Sequence, residues 1–303
     1  MRAFDAMGTR FECVLVAFSR AMQPFEPVAI AEEIELLIKD WHARLSVFDE
    51  TSCVSVINRI AADTPVTIDR ELLALIRRCL HAARMTDGAF DISLGSLMQA
   101  HGFRPTPAET APARFGWRSV RLDEHASTIR FTQPGIRLDF GGVAKGFALD
   151  LARNELRAQG LVSGLLHGGT SSVVGIGLSP DGRPWRVRAT PDDPSAPVVD
   201  LTDLAMSVSA PTGRMANGKG HIMDGRSASP SSGCLAACVV GPSAEVCEVW
   251  STTLVVEPAL LDALPPGFQA SIRRDDLWSS SGQPVPFDPS PSICSEVHEH
   301  VRV

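Results

Sequence analysis

The stretch "LDFGGVAKGFALD", residues 138–150, decides how this chain is read. An apolar run ends at Asp139, Gly141 and Gly142 follow, and Lys145 opens a helical pattern. Val143, Phe147 and Leu151 form one row and Ala144, Ala148 and Ala152 the next, which predicts a helix to about Gln159. Glycines between a strand and a helix let a ligand approach the backbone, and a helix N-terminus offers unpaired N–H groups and the positive end of a dipole. Lys145 would add a point charge for a phosphate. Asp139 could hold a hydroxyl, a ring N–H or a water on a metal. Taken alone, the stretch reads first as a turn with a surface lysine, because it is neither G-x-G-x-x-G nor a P-loop.

Upstream, Arg10–Phe18 predicts a first strand, and Pro27–Leu45 a helix with Ile30, Ile34, Leu37, Trp41 and Leu45 on one face. Asp69 is placed to cap a helix carrying Leu72, Leu73, Ile76, Cys79, Leu80 and Ala83. "DISLGSLMQAHGF" suggests a short helix, and "RSVRLDEHASTIRF" two strands around a turn. Downstream, "VSGLLHGG", "SSVVGIG", "PWRVRAT", "AMSVSA" and "CLAACVVG" read as strands, and Ala244–Val255 and Pro258–Ala263 as helices. Strands and helices mix irregularly, which predicts an α+β fold of mixed sheets packed with helices. We divide the chain into a single domain over residues 1–278 and a Ser/Pro-rich C-terminal tail over 279–303.

Composition narrows the function. The chain has 303 residues, 44% hydrophobic and 21% charged, with a net charge of −7 and no basic block. A nucleic-acid binder carries a basic footprint, so that class is disfavoured. The seven cysteines form no C-x-x-C pair and mostly lie in apolar runs, which suits buried thiols in a reducing compartment. Neither a signal peptide, a lipobox nor a transmembrane span is evident, so the expected location is cytoplasmic.

Other stretches could carry chemistry, each with a plain alternative. "HGGTSSVVGIG" places His167, Gly168 and Gly169 between two strand-like runs, where a cofactor could lie or a hairpin simply turn. "GHIMDGRS" sets His221 three residues before Asp224, a base with a carboxylate that could orient it, or a polar loop pair. "CEVWSTTLVV" spaces Glu248 and Thr252 one helical turn apart, so that both oxygens could reach one hard cation, or neither does. "DGAFDISLG" reads on spacing as a turn with a helix cap. His298 and His300 read as solvated tail residues.

In order along the chain, "AMGT", "LSVFDETSCVSVIN", "DGAFDISLGSL", "DFGGVAKGFALD", "HGGTSSVVGIG", "HIMDGRS" and "STTLVV" resemble the ApbE family, the FAD:protein FMN transferases once called thiamine biosynthesis lipoproteins. The resemblance covers about Met7 to Glu257, and the family's D-x-G-G-x-x-K-G is complete from Asp139 to Gly146. It implies a two-lobed fold with FAD in the cleft. It also implies an enzyme that splits FAD with Mg2+ and attaches FMN through a phosphoester bond to a Thr or Ser of an acceptor protein, releasing AMP. By position, Met7, Phe48, Ala89, Phe90, Asp91, Asp139, Lys145 and Met223 correspond to FAD contacts. Gly142, Glu248 and Thr252 correspond to metal positions, and His221 to the base that activates the acceptor hydroxyl.

The chain departs from the family pattern in places. Phe48 stands where relatives often have Tyr, and Glu248 where they have Asp; the extra methylene moves the carboxylate by about 1.5 Å. P-R-T-G appears as Gly225-Arg226-Ser227-Ala228, and S-G-x-Y as Ser209-Ala210-Pro211-Thr212. Two other readings therefore stand beside the transferase: an FAD-binding protein without transfer, and a Mg-dependent pyrophosphatase giving FMN and AMP. A homodimer is among the expected assemblies.

Overall fold

Val173, Met206, Cys238 and Val240 bury their side chains in one apolar cluster, while their neighbours Val174, Ala205, Ala237 and Val239 belong to another. That period-two alternation marks the two faces of one sheet. The computed structural model describes residues 1–23, 26–105, 113–216, 218–275 and 277–281. The sheet has eight strands in the order 2–6, 9–18, 161–168, 172–176, 205–209, 236–241, 269–274 and 277–281, every neighbouring pair antiparallel.

One face carries the helices α1 (Glu26–Leu45), α5 (Ala144–Ala158) and α6 (Ala244–Val256). α1 buries Ile30, Ile34, Ile38, Trp41 and Leu45, with Leu37 partly covered, and the Trp41 and Phe147 rings meet edge to face at 4.6 Å between α1 and α5. The other face is covered by the hairpin Trp185–Arg188 and Val198–Leu201.

The described residues between 46 and 140 build a second body. It contains α2 (Cys53–Ile60), α3 (Arg70–Met85), α4 (Gly95–Ala100) and a three-stranded sheet in the order 66–67, 128–131, 120–123. Asp69 caps α3 as expected, accepting from the Glu71 and Leu72 N–H groups. The main apolar core runs without a break from α3 through Phe131 and Phe140 into the large sheet.

Several expectations are corrected. The segment before the central glycines is not a strand. It is an extended stretch with one bridge, Arg137 to Leu94, pinned by Asn58, whose amide Oδ1 accepts from the Leu138 N–H at 2.6 Å and whose Nδ2 donates to the Leu138 carbonyl at 3.0 Å. Pro258–Ala263 is a 3-10 helix of six residues, opened by its proline and capped by Glu257, rather than an α-helix. Strand Leu277–Ser281 crosses the boundary drawn at residue 279; residues 282–303, with Cys294, His298 and His300, lie outside the described residues. Cys13, Cys79, Cys234, Cys238 and Cys247 are buried free thiols, but Cys53, at the start of α2, is exposed. No helix among the described residues is long and apolar enough to cross a membrane.

Candidate active site

Gly146 fixes how close α5 and α6 approach. A Cβ built there would fall 2.2 Å from the Ala244 carbonyl oxygen, so only glycine fits. This last glycine of the central motif therefore serves helix packing. The contact brings the first turn of α5 against Glu248 in the middle of α6. The Gly146 N–H donates to Glu248 Oε2 at 2.9 Å, the Ser172 hydroxyl donates to Oε1 at 2.7 Å, and Lys145 Nζ stands 2.5 Å from Oε1. Val143 provides no side-chain cap to α5, so a carboxylate from another helix meets the positive end of its dipole. The helix N-terminus expected to be open to a ligand is thus partly occupied by the protein's own anion.

Lys145 and Glu248 line a cavity of about 890 Å3. Met7, Phe48, Ala89, Phe90, Asp91, Asp139, Gly142, Lys145, His221, Met223, Glu248 and Thr252 all border it. They arrive from separate elements. Met7 sits in the two-residue hairpin turn between the first two strands, with φ 51 at Met7 and 73 at Gly8, the left-handed pair of a type I′ turn. Thr170 and Ser171 arrive at the tip of the hairpin that "HGGTSS" forms, so that stretch is both a turn and part of the cavity wall. His167 lies outside the lining, and burial pushes its pKa down. Gly142 packs on Thr252, a built Cβ lying 3.4 Å from Oγ1. The Thr252 hydroxyl is also 3.4 Å from Ser209 Oγ, which joins Ser251 Oγ at 2.8 Å.

Asp91 and Asp139 are both held by the protein. Asp91 accepts from the Ser93 and Trp117 backbone N–H groups at 2.7 and 2.9 Å, stapling its loop, while burial raises its pKa. Asp139 accepts from the Gly141 N–H at 2.8 Å and from both Nε and Nη2 of Arg104. Arg104 also stands 5.5 Å from the ring centre of Phe48, which is 63% exposed.

His221 is oriented differently from the expected pairing. Asp224 binds the Arg226 side chain, and although burial opposes it, that guanidinium holds the carboxyl below its usual range. His221 Nδ1 lies 3.2 Å from the Arg214 carbonyl oxygen. A carbonyl only accepts, so Nδ1 carries the proton in this bond. Burial lowers the histidine pKa, with Arg214 and Lys145 adding to the effect against backbone hydrogen bonds that raise it.

Sequence reasoning missed both Arg104 and Arg214 as site residues. Arg104 follows the "HGF" stretch with no motif around it, and only the fold brings it to Asp139. Arg214 lines the cavity and makes no ion pair among the described residues.

Residues 7–264 match the ApbE family. The chain belongs to the ApbE family. A crystal structure of the ApbE protein of Thermotoga maritima superposes with a TM-score of 0.77 at 26% identity, covering 89% of this chain and 93% of that one. The flavin transferase ApbE of Vibrio cholerae shares the fold with a TM-score of 0.79 at 20% identity, covering 94% and 96%. The FAD:protein FMN transferase of Klebsiella pneumoniae is 33% identical over 162 residues, 50% of this chain and 51% of that protein. The FAD:protein FMN transferase of Rhodobacter capsulatus is 28% identical over 274 residues, 84% of this chain and 50% of that protein. The chain spans about half the length of these curated relatives. The α+β architecture expected from the ApbE resemblance is the one observed.

Proposed function

We propose that this ApbE-family protein binds FAD in the central cavity and transfers its FMN half to a Ser or Thr hydroxyl of an acceptor protein, releasing AMP. The observation that carries the reading is convergence: residues from Met7 to Thr252 border one cavity of about 890 Å3, near the top of the roughly 300–1,000 Å3 range of small-molecule sites.

The donor set fits Mg2+. Glu248, Thr252 and the Gly142 backbone offer only oxygens, the chemistry that ion requires. Mg2+ takes few protein carboxylates and completes its shell with phosphate and water, so Glu248 would be its one carboxylate here. When bound, Mg2+ would neutralise the diphosphate and stabilise charge on the departing phosphate.

The protein's own residues do the rest. Exposed Phe48 offers a ring for stacking a planar ligand, and Lys145 and Arg214 offer cations for the phosphates. His221 Nε2 accepts the proton of the acceptor hydroxyl as that oxygen bonds to the FMN-side phosphorus. The bond from this phosphorus to the bridging oxygen breaks, and the oxygen leaves with AMP. Placement and charge, rather than covalent chemistry by the protein, account for most of the acceleration.

The test is incubation with FAD, Mg2+ and an acceptor protein bearing a Ser/Thr flavinylation segment. Acceptor labelled with flavin and equal AMP are expected. AMP and free FMN without labelling would replace this reading with hydrolysis. FAD binding without AMP would leave a flavin-binding protein.

A further inference from the structure

Lys145 and Glu248 are each placed between two partners. Their ion pair is closed at 2.5 Å, with the Glu248 side chain 4% exposed and that of Lys145 20%. While it is closed, the ammonium is spent on a carboxylate and the carboxylate on an ammonium. Glu248 precedes Thr252 by one turn of α6, and Thr252 packs against Gly142, so a cation among those oxygens would compete with Lys145 for Glu248. A phosphate in the cavity would compete with Glu248 for Lys145. The reach of a glutamate makes the contact: an aspartate would end about 1.5 Å short.

We propose that the Lys145–Glu248 pair is a partner-exchange switch that couples divalent-cation binding to diphosphate binding. A divalent cation draws Glu248 away and releases Lys145 to the phosphates. A diphosphate draws Lys145 away and releases Glu248 to the cation. Coupling through one shared pair is reciprocal, so each ligand tightens the other by the same factor. The inference rests on the FAD reading above and adds what the free protein does with its charges: its own ion pair lowers affinity for either ligand alone.

The test is equilibrium dialysis of the full chain with FAD in EDTA. Glu248→Gln is expected to bind FAD about tenfold more tightly than the wild type, within the range of coupling between contacting charges. Lys145→Met is expected to weaken metal-free binding, because the diphosphate loses the ammonium it would draw from Glu248. The double variant is expected to lose the gain of Glu248→Gln. If the gain persists in the Lys145→Met background, it reflects only removal of a negative charge and the switch is overturned. No gain in Glu248→Gln overturns it too. Calorimetry with Mg2+ alone decides independently should Glu248→Gln fold poorly: Lys145→Met is expected to bind Mg2+ more tightly than the wild type, and equal or weaker binding overturns the proposal. Absence of FAD binding in every variant, with or without Mg2+, sinks the FAD reading itself and this inference with it. FAD binding that is indifferent to both substitutions sinks the switch alone.

Discussion

Arg104 closes a fork on Asp139, with Nε 2.5 Å from Oδ2 and Nη2 3.1 Å from Oδ1. The side chains are 9% and 10% exposed, and Asp139 also holds the Gly141 N–H. The first acid of the central motif is therefore set in place by a residue that no motif contains. Removing one partner leaves the other charge buried and uncompensated. Arg104→Met is expected to cost about 3 kcal/mol in denaturant unfolding and to weaken FAD binding. Arg104→Lys restores charge but not the fork, so it should recover only part of both losses. Wild-type stability in Arg104→Met would show that the pair carries no weight.

Gly146 lies 2.2 Å, by a built Cβ, from the Ala244 carbonyl. Gly146→Ala must separate α5 from α6 and pull the Gly146 N–H off Glu248. A loss of about 3 kcal/mol is expected, at the upper end for overpacking, and a thermal melt reads it. An unchanged melting temperature would contradict the packing described.

The His221 imidazole is held below its usual pKa, chiefly by burial. A depressed pKa keeps the basic, neutral form populated down to lower pH. Transfer should therefore rise through a midpoint below about 6.5 and stay flat above it. The same sign applies to stability: between the folded and unfolded pKa values the unfolded chain binds more protons, so this contribution is lost as pH falls. His221→Ala should lower transfer by roughly 10²–10⁴-fold while FAD binding persists. A pH-rate midpoint above the ordinary histidine value, or equal loss of FAD binding, would remove His221 from the role of base.

Glu248→Asp restores the family residue and shortens the side chain. The carboxylate then withdraws from Lys145, Gly146 and Ser172. Stability should fall by about 1–3 kcal/mol, because buried donors lose their acceptor. Mg2+ should bind more tightly, because Lys145 no longer competes. Calorimetry and a melt on the same sample read both, and weaker Mg2+ binding would count against the account of this position.

Ala228 stands where the family pattern has glycine, in the turn between Met223–Asp224 and Ser229–Pro230, and takes φ 54. A non-glycine residue there costs roughly 1–2 kcal/mol. Ala228→Gly should raise stability by up to about 1 kcal/mol, offset by the greater freedom of glycine in the unfolded chain. A lower melting temperature would indicate that the methyl group packs favourably.

What could be read without coordinates was local. Apolar spacing located α1, α3, α5 and α6, and Asp69 marked the start of α3, because a helix repeats its contacts every three or four residues. The ordered series of short motifs identified the family and the residues that border the cavity. The edge strands escaped notice: Arg2–Ala6 and Leu277–Ser281 have one neighbour each and carry polar residues that no full burial demands. What only the tertiary structure decided is how the charges pair. Arg104 and Asp139 are 35 residues apart, Ser172 and Glu248 76, and Gly146 and Glu248 102. No periodicity links positions so distant. Their partners are set by the packing of α5 on α6 and of the smaller body on the sheet, where burial forces each charge to find an opposite one.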